Sequence, residues 1–315
     1  MNRSANWLLS ALLLTSTPVF AQLLDGCPSE LIAGKFQEFG NTGKMPPDLG
    51  QWLSNEDAQY IEPGAVFDNV DYVGICWVSA WLVHTDEGVV LIDTLYGPFV
   101  EQLLENIARV DVDPVDIKYV LMTHGHFDHT GGAAIVKAQF PNAQFVMTKT
   151  GWDEAVANAA ASKLGRRAWD MIEPEIVIED GESIEFGGNT FTAISTPGHT
   201  WGTTSYTYDV VDNGNTYRSV TIGGLGLNAI EGAAQVEAYI ESIDKIRARV
   251  NDDEQPVLVH LSTHGFSNNL PENREKLAAQ KPDEQNVFVN PEALKNQISE
   301  LRKGAVERLE LEISK

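Results

Sequence analysis

Apolar and polar positions alternate along this chain in two similar halves. Short apolar runs that read as strands cover residues 72–78, 80–84 and 89–93, the last two separated by the turn Asp86-Glu87-Gly88. From Gly97 the period lengthens, and Val100, Leu103, Leu104 and Ile107 share one helical face. A strand over 119–122 then runs into a glycine-containing loop, with a helix start near Ala133, a strand over 143–147 and a helix over 152–161. The second half repeats the mixture. Strands are predicted over 175–178, 182–186 and 191–196, followed by a hairpin of 205–210 with 217–222 across Asp212-Asn213-Gly214. A helix over 234–250 carries Val236, Tyr239, Ile240, Ile243 and Ile246 on one side, and 257–261 reads as a strand. The helix over 291–311 repeats Leu294, Ile298, Leu301, Ala305 and Leu309. Residues 22–66, with Pro46-Pro47, read as an irregular lead-in containing one short helix near Leu49. Strands and helices therefore come twice, before and after about residue 180, with no repeat or linker dividing them. This predicts an α+β chain whose two sheets pack face to face with helices outside, a four-layer αββα sandwich.

Composition narrows the function more than the fold. With 43% hydrophobic residues over 315 positions, the chain can bury a large core. Its 22 basic and 45 acidic residues give a formal net charge of −23, which repels phosphate backbones and argues against a nucleic-acid partner. The first 21 residues have the form of an export signal: Arg3, an apolar stretch from Trp7 to Leu14, and Val19-Phe20-Ala21 as a cleavage pattern. That stretch is too short to span a bilayer, so no stable membrane insertion is expected. The expected organisation is a signal peptide over 1–21 and one domain over 22–315, periplasmic or secreted. Lipid attachment at Cys27 is disfavoured by Asp25 and by the distance from the apolar stretch. Cys27 and Cys76 are the only cysteines. An oxidising compartment permits them to pair; a free surface thiol and a buried strand residue is the other reading.

The densest chemistry lies in Val120-Leu121-Met122-Thr123-His124-Gly125-His126-Phe127-Asp128-His129-Thr130-Gly131-Gly132. Imidazole and carboxylate are the ligands zinc takes where thiolate is absent. His124 and His126, two apart, can turn toward one ion, and Asp128 and His129 toward a second nearby. A single histidine of this kind is usually a hydrogen-bonded core residue; four ligand types in six positions after a strand are not explained that way. His199 in Thr196-Pro197-Gly198-His199-Thr200 and His264 in Ser262-Thr263-His264-Gly265 also follow predicted strands, and they complete a set of six. His260 is a weaker rival to His264, and His84 is expected to be solvated beside its turn. Asp93, after Val-Leu-Ile, either orients a ligand histidine or caps the turn at Leu95-Tyr96-Gly97.

The pattern His-x-His-x-Asp-His resembles the metal motif of the metallo-β-lactamase superfamily. With His199 and His264, it is most similar to the class B β-lactamase subclass whose second zinc is held by Asp, His and His. The resemblance implies His124, His126 and His199 on one zinc and Asp128, His129 and His264 on the other. It extends to Phe67-Asp68-Asn69-Val70-Asp71-Tyr72-Val73-Gly74, Leu91-Ile92-Asp93-Thr94 and Phe288-Val289-Asn290-Pro291. Gly223-Gly224-Leu225-Gly226 stands where related branches place a cysteine ligand or a bridging aspartate. Trp201 and Gly265 replace expected prolines, Gly224 stands where a serine hydroxyl often lines the substrate site, and the segment after Asn228 is short.

What the resemblance implies is an exported hydrolase with two Zn2+ ions, acting on a small-molecule substrate. The first expectation is a metallo-β-lactamase that opens the lactam ring with a metal-bound hydroxide, Asp128 serving as the catalytic residue that orients the nucleophile, without an acyl-enzyme. The alternative is a zinc hydrolase of the same fold acting on another ester, lactone or sulfate ester.

Overall fold

A computed structural model describes residues 24, 26–164, 168–281 and 284–314. The expected export signal lies outside these residues. The chain begins with three helices: α1 (Ser29–Thr42), α2 (Pro47–Trp52) and α3 (Glu56–Gln59). Only α2 matches the short helix expected in the lead-in. α1 escapes the pattern because it buries little of its own apolar surface, Ile32 being its one buried large side chain.

The first sheet has seven strands in sequence order: β1 (Gly64–Phe67), β2 (Val70–Tyr72), β3 (Trp81–Thr85), β4 (Gly88–Ile92), β5 (Ile117–Leu121), β6 (Gln144–Met147) and β7 (Ile176–Val177). β1 to β4 pair antiparallel and β4 to β7 parallel. The parallel pairs are bridged by α4 (Phe99–Arg109), α5 (Phe127–Thr130) with α6 (Ala133–Gln139), and α7 (Lys149–Ser162). The strand expected over 72–78 ends at Tyr72. Beyond it the backbone forms a loop, in which Ile75 N–H donates to the Val78 carbonyl and Tyr72 OH to the Ile75 carbonyl.

The second sheet has five strands, ordered β12 (Val257–His260), β11 (Asn215–Thr221), β10 (Thr204–Asp212), β9 (Asn189–Ser195) and β8 (Ser183–Phe186). It is backed by α8 (Ala233–Val250) and α10 (Pro291–Ile313). A further helix, α9 (Leu270–Ala279), follows a 3-10 turn at Gly265–Asn268. It has no apolar stripe to announce it: only Leu270 is buried.

Three apolar layers hold the αββα sandwich together. Phe67, Tyr72, Trp81, Val90, Leu121, Phe191, Tyr206 and Val259 fill the space between the sheets. Leu91, Phe99, Leu103, Val120, Phe145 and Trp152 join the first sheet to its helices, and Ile222, Val236, Ile243, Ile246, Leu294 and Ile298 join the second to α8 and α10. A fourth, smaller cluster seats Ile32, Leu49, Trp52 and Ala58 beside Cys76, which is disulfide-bonded to Cys27. Among the described residues no helix is long and apolar enough to cross a membrane.

Candidate metal centre

The sheets meet at one rim. Thr204 N–H at the start of β10 donates to the Thr123 carbonyl just past β5, and Tyr206 OH reaches the Met122 carbonyl. His124, His126, Asp128 and His129 leave the carboxyl end of β5 and the first turn of α5. His199 sits in the loop between β9 and β10, and His264 four residues beyond the end of β12. The loop of His199 is pinned from behind by α8, whose Gln235 Nε2 donates to the Gly198 carbonyl and whose Ser242 Oγ donates to that of Pro197.

These elements bring together all six residues singled out in the sequence. They form two triads, His124/His126/His199 and Asp128/His129/His264, each with ligand atoms within 4.8 Å of one another. Within the first, His199 Nε2 lies 3.1 Å from His126 Nδ1, and within the second His129 Nε2 lies 3.3 Å from His264 Nε2. Asp128 Oδ2 is 3.4 Å from His129 Nε2 and 3.8 Å from His264 Nε2.

Hydrogen bonds behind the rings decide which nitrogens face inward. His199 Nδ1 is 2.6 Å from the Gly226 carbonyl and His264 Nδ1 is 2.9 Å from that of Trp77. A carbonyl only accepts, so each Nδ1 carries the hydrogen and each Nε2 presents a lone pair. His129 Nδ1 is 2.8 Å from Asp93 Oδ2 and likewise carries a hydrogen, which turns Nε2 inward. Thr123 Oγ1 donates to Asp93 Oδ2 at 2.9 Å, which leaves its oxygen to accept from His124 Nδ1 at 3.1 Å. His124 Nε2 is buried and has no hydrogen-bond partner. An unpartnered lone pair of this kind is costly in a protein interior. A cation in the first triad would remove that cost, and the nitrogen and carboxylate donors of both triads suit a transition metal.

Burial, helped by neighbouring imidazoles, holds His124 well below its ordinary pKa and pulls His199 down to about 3 and His264 to about 4. Their lone pairs are therefore available at neutral pH. His129 goes the other way: burial opposes its charge, but the Asp128 and Asp93 carboxylates prevail and raise it to about 10. Without a metal, that proton supplies the positive charge between two buried carboxylates. Asp128, despite burial, is held below the usual carboxylate range by the surrounding histidines and is anionic.

Asp93 orients His129, a member of the second triad, and its carboxylate oxygens are taken by Thr123 and His129 and not by the turn after it. Its backbone is left-handed, φ 62°, an uncommon conformation that aspartate tolerates better than most residues. Gly224, next to the first triad, has a steric reason: a Cβ there would lie 2.5 Å from His199 Cβ. His260 belongs to neither triad; its Nδ1 meets Gln297 Oε1 of α10 at 2.8 Å. His84, expected to be solvated, is half-buried and pairs with Asp71 Oδ2 at 2.7 Å. Residue reading missed the Trp77 and Gly226 carbonyls and the bridging role of Thr123. The two carbonyls leave no trace in residue type, whereas a hydroxyl directly before His124 was a usable signal.

Comparison with known proteins fits this geometry. Residues 73–212 match the family model of the metallo-beta-lactamase superfamily. The native FEZ-1 metallo-beta-lactamase from Legionella gormanii superposes with a TM-score of 0.73 at 24% identity, covering 82% of this chain and 98% of that one. A hydroxyacylglutathione hydrolase of Cronobacter sakazakii is 34% identical over 127 residues, 40% of this chain and 41% of that protein. The N-acyl homoserine lactonase AttM of Agrobacterium fabrum is 28% identical over 139 residues, 42% of this chain and 46% of the relative. The chain thus matches under half the length of these two relatives. The fold is that of the metallo-β-lactamase superfamily, carrying a three-histidine triad beside an Asp-His-His triad. Together they form two adjoining triads, each of which could hold a metal ion.

Proposed function

We propose that this chain is a dinuclear zinc hydrolase that cleaves an ester or lactone. The observation that carries the reading is the outward anchoring of four histidines, which aims their free nitrogens into two adjoining triads. In the first triad His124, His126 and His199 would hold one ion; in the second Asp128, His129 and His264 would hold the other. Two zinc ions there would supply Lewis acidity, polarising a carbonyl and bringing the pKa of water to about 7.

The chain's own groups do the remaining work. Asp128, buried and anionic, orients the attacking water and takes up its proton. His199 and His264 keep their Nδ1 hydrogens on backbone carbonyls throughout, so neither competes for that proton. Nothing in this scheme calls for a serine or cysteine nucleophile, so no acyl-enzyme is expected.

Three features favour an ester or lactone over a lactam. The relatives at 34% and 28% identity are named as a hydroxyacylglutathione hydrolase and an N-acyl homoserine lactonase. Gly224 offers no hydroxyl to a substrate carboxylate. The Glu154 carboxylate bears on His126, and an anionic group there disfavours an anionic substrate. Opening of a β-lactam is the second reading; it is supported by the likeness to FEZ-1 over nearly all of that protein and by the Asp-His-His composition of the second triad. We also propose export with release after Ala21, which the Cys27–Cys76 disulfide supports.

The test is a panel: an acyl lactone, an aryl ester, an aryl sulfate, a penicillin and a carbapenem, each with and without chelator. Turnover of the lactone or ester, abolished by chelator and restored by zinc, is expected. Turnover of lactams alone would favour the second reading, and hydrolysis indifferent to chelator would overturn both.

A further inference from the structure

His264 follows β12 by four residues, and among the described residues its ring is hydrogen-bonded to the protein scaffold through the Trp77 carbonyl. The Trp77 carbonyl belongs to the loop of residues 74–79, which is neither strand nor helix. What fixes that loop therefore fixes the inward nitrogen of His264.

Much of the fixing comes from the N-terminal helices. Gln59 at the end of α3 is fully buried, and it grips the loop twice: its carbonyl accepts from Cys76 N–H at 2.9 Å and its Oε1 from Trp77 N–H at 2.9 Å. Gln59 Nε2 in turn donates to the Trp52 carbonyl of α2, and Trp52 Nε1 to the Gly26 carbonyl. Beside Gly26, Cys27 is bonded to Cys76, the residue before Trp77. From above, Phe36 of α1 lies 6.2 Å from the Trp77 ring at 20° and 5.0 Å from Phe266 at 6°, while Trp77 stacks on the His264 ring at 5.7 Å and 27°. The other anchors are independent of these helices: Asn106 of α4 holds the Val73 and Gly74 carbonyls, and Ser79 N–H meets the Thr263 carbonyl.

We propose that residues 26–60 form a positioning module for the second metal triad, in which Gln59 and the Cys27–Cys76 disulfide hold Trp77 so that its carbonyl orients His264. Gln59 is a positioning residue: its side-chain and carbonyl hydrogen bonds go to Trp52, Cys76 and Trp77 and to none of the six triad residues. The inference rests on the dinuclear reading above. It predicts that weakening the module affects one metal and spares the other, because the first triad takes its anchors from Thr123 and Gly226.

The test is stepwise titration of the metal-free full chain with zinc against a chromophoric chelator, with metal content checked after gel filtration. Wild type should bind two equivalents. Gln59→Met, which keeps the length but removes the acceptor for Trp77 N–H, should leave the tighter step within about 2-fold and weaken the second by about 10-fold or more, the size expected for loss of support behind a ligand. Gln59→Glu, which keeps the acceptor for Trp77 N–H but loses the donor to the Trp52 carbonyl, should weaken the second step less than Gln59→Met does. The paired change Cys27→Ser and Cys76→Ser should act in the same direction, and it carries the test if Gln59→Met does not fold. Unchanged second-step affinity in Gln59→Met and the serine pair, or equal weakening of both steps, would overturn the module. A wild-type chain that binds a single metal would instead overturn the dinuclear reading.

Discussion

Both oxygens of the Asp93 carboxylate are in use. Oδ1 accepts from Thr123 N–H at 2.8 Å, and Oδ2 receives Thr123 Oγ1–H and faces His129 Nδ1. One side chain thus sets the ring of His129 directly and that of His124 through a hydroxyl, reaching both triads. Asp93→Asn keeps an oxygen for Thr123 N–H but turns an amide donor toward the His129 N–H. Two donors facing each other should tip the ring and weaken metal binding by about 10- to 100-fold, more at the second triad than at the first. Competition with a chelator would measure it, and wild-type affinity at both sites would refute the role. The sequence offered Asp93 two roles, because a left-handed aspartate after a strand suits either. The choice fell to the distance between β4 and α5, which no local pattern encodes.

At the scale of elements, the site depends on how closely neighbouring segments approach. The turn after β11 passes so near the loop of His199 that Gly223 would place a Cβ 2.1 Å from the Thr204 carbonyl and Gly224 one 2.5 Å from His199 Cβ. The departure from serine at position 224 is therefore a packing requirement as well as a change in the substrate surface. Gly224→Ser should displace His199, cost about 1–3 kcal/mol of stability and lower first-site metal affinity. Thermal unfolding with and without zinc reads both effects; a stable variant with normal metal content would show that the turn has room to move. α8 and α10 were legible from their apolar faces. α1 and α9 were not, because each is held by a few contacts from one side and presents mostly polar surface.

For the molecule as a whole, the metal-free centre predicts an unusual pH profile of stability. His199 and His264 are shifted down from 6.5 to about 3 and about 4 by burial, so they stay neutral when folded while the unfolded chain takes up protons. Their contribution is complete above 6.5 and is lost as the pH falls toward 4. His129 is shifted up to about 10, so its contribution is present below 6.5 and is lost as the pH rises toward 10. Chelator-treated protein should therefore be most stable near neutrality, its urea midpoint falling on both sides between pH 4.5 and 9.5. Added zinc should flatten the alkaline limb, because a cation replaces the His129 proton. A midpoint that climbs steadily from pH 6.5 to 9.5 in the metal-free protein would contradict this account.

The sequence by itself determined the two halves of strand and helix, and hence the αββα class, because apolar periodicity is a local record of which faces are buried. It also singled out the six ligand-type residues, since histidine and aspartate at strand ends declare their chemistry by type and spacing. The tertiary structure alone decided which backbone carbonyls stand behind His199 and His264, that Asp93 serves two rings, that Cys27 meets Cys76, and that position 224 has no room for a side chain. Each of these depends on distances between segments remote in the chain, and a backbone carbonyl is the same at every residue.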